Sequence, residues 1–161
     1  MSQDAFLAEQ GHDRLRIVRT AIYPTRWSDF CGKYGFSWNG VPFTEANRSS
    51  IPKKSGIYCF HVGHEFPQLP IVGLALYGGE TVDLHRRYGE YMKERDDPSG
   101  RAGVRIFLNV FADEVVFRWA EVDATKVELR AIERDLNDAL MPPYSHRDFT
   151  AEVKAGKDAW Q

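Results

Sequence analysis

An arginine and a glutamate fall where apolar side chains should be. In the stretch from about Val82 to Glu94, Leu84, Tyr88 and Tyr91 recur at helical spacing and define a face that packs inward. Arg87 falls on that same face, three after Leu84 and four before Tyr91. A guanidinium there needs a partner or a ligand, because desolvating an unpaired charge is costly. Further on, Leu129, Ile132, Leu136 and Leu140 form a second apolar stripe. Glu133 lies about 20° around that helix from Leu140, at the stripe's rim, while Asp135 and Asp138 project further out. Tyr58 and Tyr77 sit on two apolar runs that read as neighbouring strands, and Tyr77 leads through Gly78-Gly79 into the Arg87 helix. An arginine, a carboxylate and two or three phenols at one end of a sheet suit phosphodiester chemistry. Arg87 could grip a phosphate with two parallel hydrogen bonds. Glu133 could hold one Mg²⁺, which takes oxygen ligands and often only one or two carboxylates. A tyrosine could position or deprotonate water. The plainer reading of the same pattern is a buried Arg87–Glu133 salt bridge.

The elements that must hold these residues follow from local patterning. Gly56 to Val62 is a β-branched and aromatic run, and Ile71 to Tyr77 is a second, so the two read as antiparallel strands with a long connection. The helix after them takes Thr81 as its N-cap, with Asp83 in the first turn, and Asp97-Pro98-Ser99-Gly100 stops it. Val104 to Phe111 fits a strand or a short helix. Val115 to Val122 alternates as a strand. Thr125-Lys126-Val127-Glu128 is a capping box that starts the Glu133 helix, and Pro142-Pro143 ends it. Ahead of all this, Trp27, Phe30, Cys31 and Tyr34 mark a short helix from near Pro24. Asn39-Gly40 is a hairpin-type turn signal, and Pro42 makes the next stretch an edge strand or a loop. The expectation is an α/β fold: a small, mainly antiparallel three-stranded sheet flanked by helices. Residues 1–50 form an N-terminal α/β extension packed on a main domain of residues 51–161.

The 161 residues carry 43 % hydrophobic and 27 % charged side chains, the balance of an ordinary globular domain. No apolar run approaches the ~20 residues that span a bilayer, and Met1 to Gln10 lacks a secretory pattern. The two cysteines, Cys31 and Cys59, read as reduced thiols, and the expected location is the cytoplasm. A net charge of −2 argues against nucleic-acid binding by bulk charge.

Taken in order, the motifs resemble those of the GIY-YIG nuclease family. Gly56-Ile57-Tyr58 matches the first signature and Tyr77-Gly78-Gly79 stands where the second belongs. Leu84 followed three later by Arg87, with Tyr91 four beyond, matches the family's leucine, arginine and tyrosine or histidine. Glu133, Leu136, Pro142 and Tyr144 reproduce the spacing around its metal-binding glutamate. Three positions depart from the pattern. Gly78 and Asn137 stand where aliphatic residues are usual. Ser145 stands where an asparagine often ties the active-site backbone together.

The resemblance implies a metal-dependent endonuclease that hydrolyses DNA phosphodiester bonds with one divalent ion, Mg²⁺ or Mn²⁺, on Glu133. Tyr58 is then the general base or water-orienting phenol, Tyr77 supports the nucleophile and phosphate, and Arg87 stabilises transition-state charge. Tyr91 and His85 are secondary candidates. A free phenol titrates near ~10, so a tyrosine base needs the metal and Arg87 close by. DNA contacts are expected from Lys53, Lys54, Arg86, Lys93, Arg95, Arg101 and Arg105, in a basic stretch diluted by Glu90, Glu94, Asp96 and Asp97. Selectivity would come from the front segment, loops, a homodimer or a protein partner. The alternative is a nucleic-acid-binding or regulatory protein that keeps the fold without cleaving. His61, His64 and Glu65 read as loop residues rather than a zinc site. Trp27, Phe30, Tyr34, Phe36 and Trp38 read as an accessory core.

Overall fold

The architecture comes from a computed structural model that describes residues 24–64, 72–145 and 149–158. The sequence readings on Met1 to Gln10, Glu65 and Ile71 lie outside these residues. In chain order the elements are α1 (Pro24–Tyr34), β1 (Asn39–Pro42), a 3₁₀ turn (Glu45–Ser50), β2 (Gly56–His64), β3 (Val72–Thr81), α2 (Leu84–Asp96), α3 (Ala102–Val110), β4 (Val115–Glu121), α4 (Lys126–Leu140) and α5 (Ala151–Asp158). One antiparallel sheet runs in the order β1-β4-β2-β3. It has four strands where the sequence led to three.

The fourth strand is Asn39–Pro42, which pairs Asn39 with Trp119 and Pro42 with Val116. Asn39-Gly40 is therefore strand and not turn. A Cβ on Gly40 would stand 3.1 Å from Arg118 Cγ, so this glycine lets the Arg118 chain cross it. Pro42 fits because β1 is an outer strand, where a missing N–H costs no ladder bond.

β2 is one of the two inner strands, and its side chains serve both faces. Alternation sends Tyr58, Phe60 and Val62 into a core shared with Leu84, Tyr88, Tyr91, Phe107 and Phe117. Ile57 points the other way, into a core with Phe30, Ala120, Ile132 and Leu136. Helices α2 and α3 thus cover one face, and α1 and α4 the other. The front-segment aromatics Phe30, Tyr34, Phe36 and Trp38 belong to that second core, and Trp27 stacks on Phe30 at 5.7 Å. No helix of the described residues is long and apolar enough to cross a membrane.

Local chemistry sets the helix ends. Asp83, not Thr81, is the N-cap of α2: its carboxylate accepts from Arg86 N at 2.9 Å. Thr81 stays in the strand, where its hydroxyl accepts from Asp83 N at 3.1 Å. The 104–111 stretch is helical because Val104, Phe107 and Leu108 recur at helical spacing and all three are buried. The capping box forms as read, with Thr125 and Glu128 each accepting the other's backbone N–H. Met141 turns left-handed, φ 46°, to close α4 before the two prolines.

Candidate active site

The chemistry-bearing residues meet where the β2–β3 pair runs into α2. Tyr58 faces Gly79 across the ladder, and Phe60 faces Tyr77. A bulge between Phe60 and His61 shifts the register next to Tyr77, a device that re-aims side chains. The Tyr58 ring lies over Gly79: a Cβ there would come 2.3 Å from the phenol oxygen and 2.5 Å from Cζ. Only glycine admits this approach, which gives the Gly78-Gly79 pair half its meaning.

Arg87 reaches in from the second turn of α2. Its Nε donates to the Tyr58 hydroxyl at 3.1 Å, NH2 to the Tyr91 hydroxyl at 3.2 Å and NH1 to Glu90 at 2.8 Å. The guanidinium carbon lies 4.6 Å from the Tyr91 ring centroid, a cation–π contact. The two phenols bond each other at 2.8 Å. One phenol proton is used in that bond, so the pair keeps one to offer elsewhere. Tyr58 is 1 % exposed and Tyr91 fully buried.

Burial pushes both phenols above their usual titration range. The Arg87 charge pulls the other way and is outweighed. Arg87 by itself, with no metal beside it, does not bring the Tyr58 phenol down to a ready base.

Tyr77 joins through a different cation. Arg101 NH1 donates to its hydroxyl at 3.2 Å, while Nε and NH2 hold Glu94 at 2.7 and 2.9 Å. Sequence reasoning placed Arg101 among cations along the DNA backbone and treated Glu90 and Glu94 as diluting charge. In the structure Glu94 holds Arg101 beside Tyr77, and Glu90 takes both Arg86 and Arg87. Their spacing from the arginines, three for Arg87–Glu90 and seven for Glu94–Arg101, was the available signal.

Glu133 sits elsewhere. It is half-buried on α4, the helix on the opposite face of the sheet from α2. Arg87 pairs with Glu90 at 2.8 Å, and the helices that carry Arg87 and Glu133 pack on opposite faces of the sheet. Along α4, Asn137 and Leu136 face the Gly78 position, and Arg130 lies 3.9 Å from Glu80. Glu133 falls between those contacts, beside the end of β3 that follows Tyr77. The described residues hold no cluster of three or more acid, histidine or cysteine ligands. As a carboxylate, Glu133 is the type of oxygen donor that Mg²⁺ takes, one or two at a time.

The other candidates divide. His85 lies half-buried in the first turn of α2, its backbone N–H bonded to Pro52 O at 3.1 Å, apart from the phenol set. Ser145, in place of the expected asparagine, performs a tie: its Oγ accepts from Gly78 N at 3.0 Å. Of the basic residues, Lys54 pairs with Glu121, Arg86 with Glu90, and Arg95 with Asp96, and Arg105 donates to Pro98 O at 3.1 Å. Lys53 and Lys93 are exposed. His61 is not in a loop but on β2, half-buried, with its ring over Gly73. His64 is also a strand residue. No family model, no curated protein and no solved structure matches the chain.

Proposed function

We propose that this protein is a metal-dependent endonuclease acting on DNA phosphodiester bonds, with the fold of the GIY-YIG nuclease domain that its motifs resemble. One observation carries the reading: the Arg87 guanidinium is fixed by Tyr58, Tyr91 and Glu90, and after three bonds two of its five N–H groups remain for a ligand. A planar pair of N–H donors matches two phosphate oxygens. Arg87 holds the phosphate and stabilises the charge that develops on it. Tyr58 and Tyr91, protonated, align the attacking water or a phosphate oxygen through the proton they keep. Tyr77 lies beside them on the next strand. The resemblance would assign Mg²⁺ or Mn²⁺ to Glu133, whose helix packs on the other face of the sheet from Arg87; the chemistry a bound ion would supply is charge neutralisation on a phosphodiester oxygen.

A second reading, a nucleic-acid-binding or regulatory protein that does not cleave, draws support from the raised titration of Tyr58 and Tyr91. A plasmid-nicking assay with and without Mg²⁺ separates the two. Metal-dependent nicks support the nuclease. Retarded plasmid without nicks supports the binder.

A further inference from the structure

Arg87 has a counterpart. Arg101 stands at the N-terminal cap of α3 and folds back over the phenols, its Cζ 5.5 Å from the Tyr91 ring centroid and 5.7 Å from that of Tyr77. The two arginines are held by the same kinds of partner, Arg87 by one Glu90 oxygen and two phenols, Arg101 by both Glu94 oxygens and one phenol. A glutamate of α2 grips each one, Glu90 or Glu94, one turn apart, and each donates to a phenol of the site. The Glu94 carboxylate takes Nε and NH2, and Tyr77 takes NH1. Beyond Glu94 and Tyr77, one N–H remains on each terminal nitrogen, a pair that a phosphate accepts in competition with the Tyr91 hydroxyl. Its side chain is 48 % exposed, so the pair is reachable. Burial alone would raise the Glu94 carboxyl. The Arg101 bonds outweigh it and hold Glu94 below its usual range, so the grip is ionic at neutral pH.

A surface ion pair would need only Glu94. The added bond to Tyr77 and the position over two aromatic rings aim this cation at the site. We infer that Arg101 is a second substrate-contacting guanidinium, which binds the phosphodiester jointly with Arg87 and fixes the Tyr77 hydroxyl beside it. The substrate rests on the nuclease reading; the anion chemistry rests on the geometry. Displacement at a phosphodiester adds negative charge to a group that already carries one, and two fixed cations answer that increase.

Two measurements test it. The first is steady-state nicking by Arg101→Lys and Arg101→Met. Lysine keeps the charge but cannot serve carboxylate, phenol and phosphate together. Both variants should lose ~10²-fold in kcat with a smaller change in KM, and their circular dichroism spectra at the assay temperature should be those of the wild-type fold even though loss of the Glu94 pair lowers the melting temperature. Nicking by Arg101→Lys near the wild-type rate overturns the inference. The second is NMR of the wild-type protein, following the Nε–H signals of Arg87 and Arg101 during titration with inorganic phosphate. Both should move with one dissociation constant. Movement of Arg87 alone overturns the inference and leaves the Arg87 site standing. If both move and the wild type does not nick DNA, the nuclease reading falls and the two-arginine phosphate site stands. If neither moves, the inference falls.

Discussion

Arg87 and Arg86 are adjacent in sequence and different in role, and that contrast is testable. Arg87 is 27 % exposed and committed to two phenols, while Arg86 is 57 % exposed and touches Glu90 from outside. Arg87→Lys keeps the charge but loses the flat fork, and nicking should fall ~10²-fold or more. Arg86→Ala should nick at close to the wild-type rate, and equal losses would mean that the wrong side chain faces the phosphate. Glu133→Gln should lose at least ~10²-fold of Mg²⁺-dependent activity with an unchanged circular dichroism spectrum. A glutamine variant as fast as wild type removes Glu133 as the metal ligand. The phenols set a pH limit. Unfolded, Tyr58 and Tyr91 ionise near pH ~10. Folded, burial keeps them protonated to higher pH. Above that point the native state binds more protons than the unfolded one, so stability falls as pH rises; below it these groups contribute no slope. Urea midpoints should be level through neutral pH and drop above pH ~10, less steeply in Tyr58→Phe.

Between β3 and α4, two departures from the family pattern meet. A Cβ at Gly78 would stand 2.6 Å from Asn137 Oδ1, and the Asn137 amide is fully buried with neither atom hydrogen-bonded. The small residue on the strand makes room for the polar one on the helix. Gly78→Ala should destabilise the wild type and cost less in an Asn137→Ala background. Contacting residues typically show coupling of ~0.5–3 kcal/mol in such cycles, read here from urea unfolding. Simple additivity would mean that the two positions do not share one space. The helix ends that sequence reading placed correctly, Thr125 above all, rest on neighbours three residues apart. The α2 cap was misplaced by two residues because Thr81 and Asp83 are both competent caps. The ladder with β2 keeps Thr81 in the strand.

Charge acts over the molecule as a whole. The net charge is −2, and most basic side chains near the site are paired with acids. On the proposed nuclease reading, DNA contacts are then few. Three to five would give a slope of roughly −3 to −4.5 in log affinity against log salt. Lys93→Ala with Arg95→Ala should flatten that slope and weaken binding, while single-turnover cleavage at saturation persists. Salt-independent binding would remove the nucleic-acid reading. The fold also separates the thiols: Cys31 is exposed, while Cys59 is buried on β2, where burial pushes its thiol up to about 12. A thiol reagent should label Cys31 at once and Cys59 only on unfolding. Equal rates would place Cys59 at the surface.

The residues that meet at the β2–β3 and α2 junction stood out in the sequence because their signals are local. Arg87 stands out against Leu84, Tyr88 and Tyr91 within two helical turns, and the Gly-Gly pair follows Tyr77 directly. The helices and the long strands were legible for the same reason, since periodicity is written in consecutive residues. Contacts between distant segments were not. Asn39–Pro42 is too short to announce itself as a strand, and it becomes one only because β4 offers an unpaired edge. Arg101 joins Tyr77 across 24 positions, through a bend after α2 that no local pattern predicts. Glu133 reads as a partner for Arg87 on a helical wheel, yet the sheet stands between their helices. Ladder pairing and layer order settle such matters, because they depend on which faces are buried against each other and not on the spacing within either one.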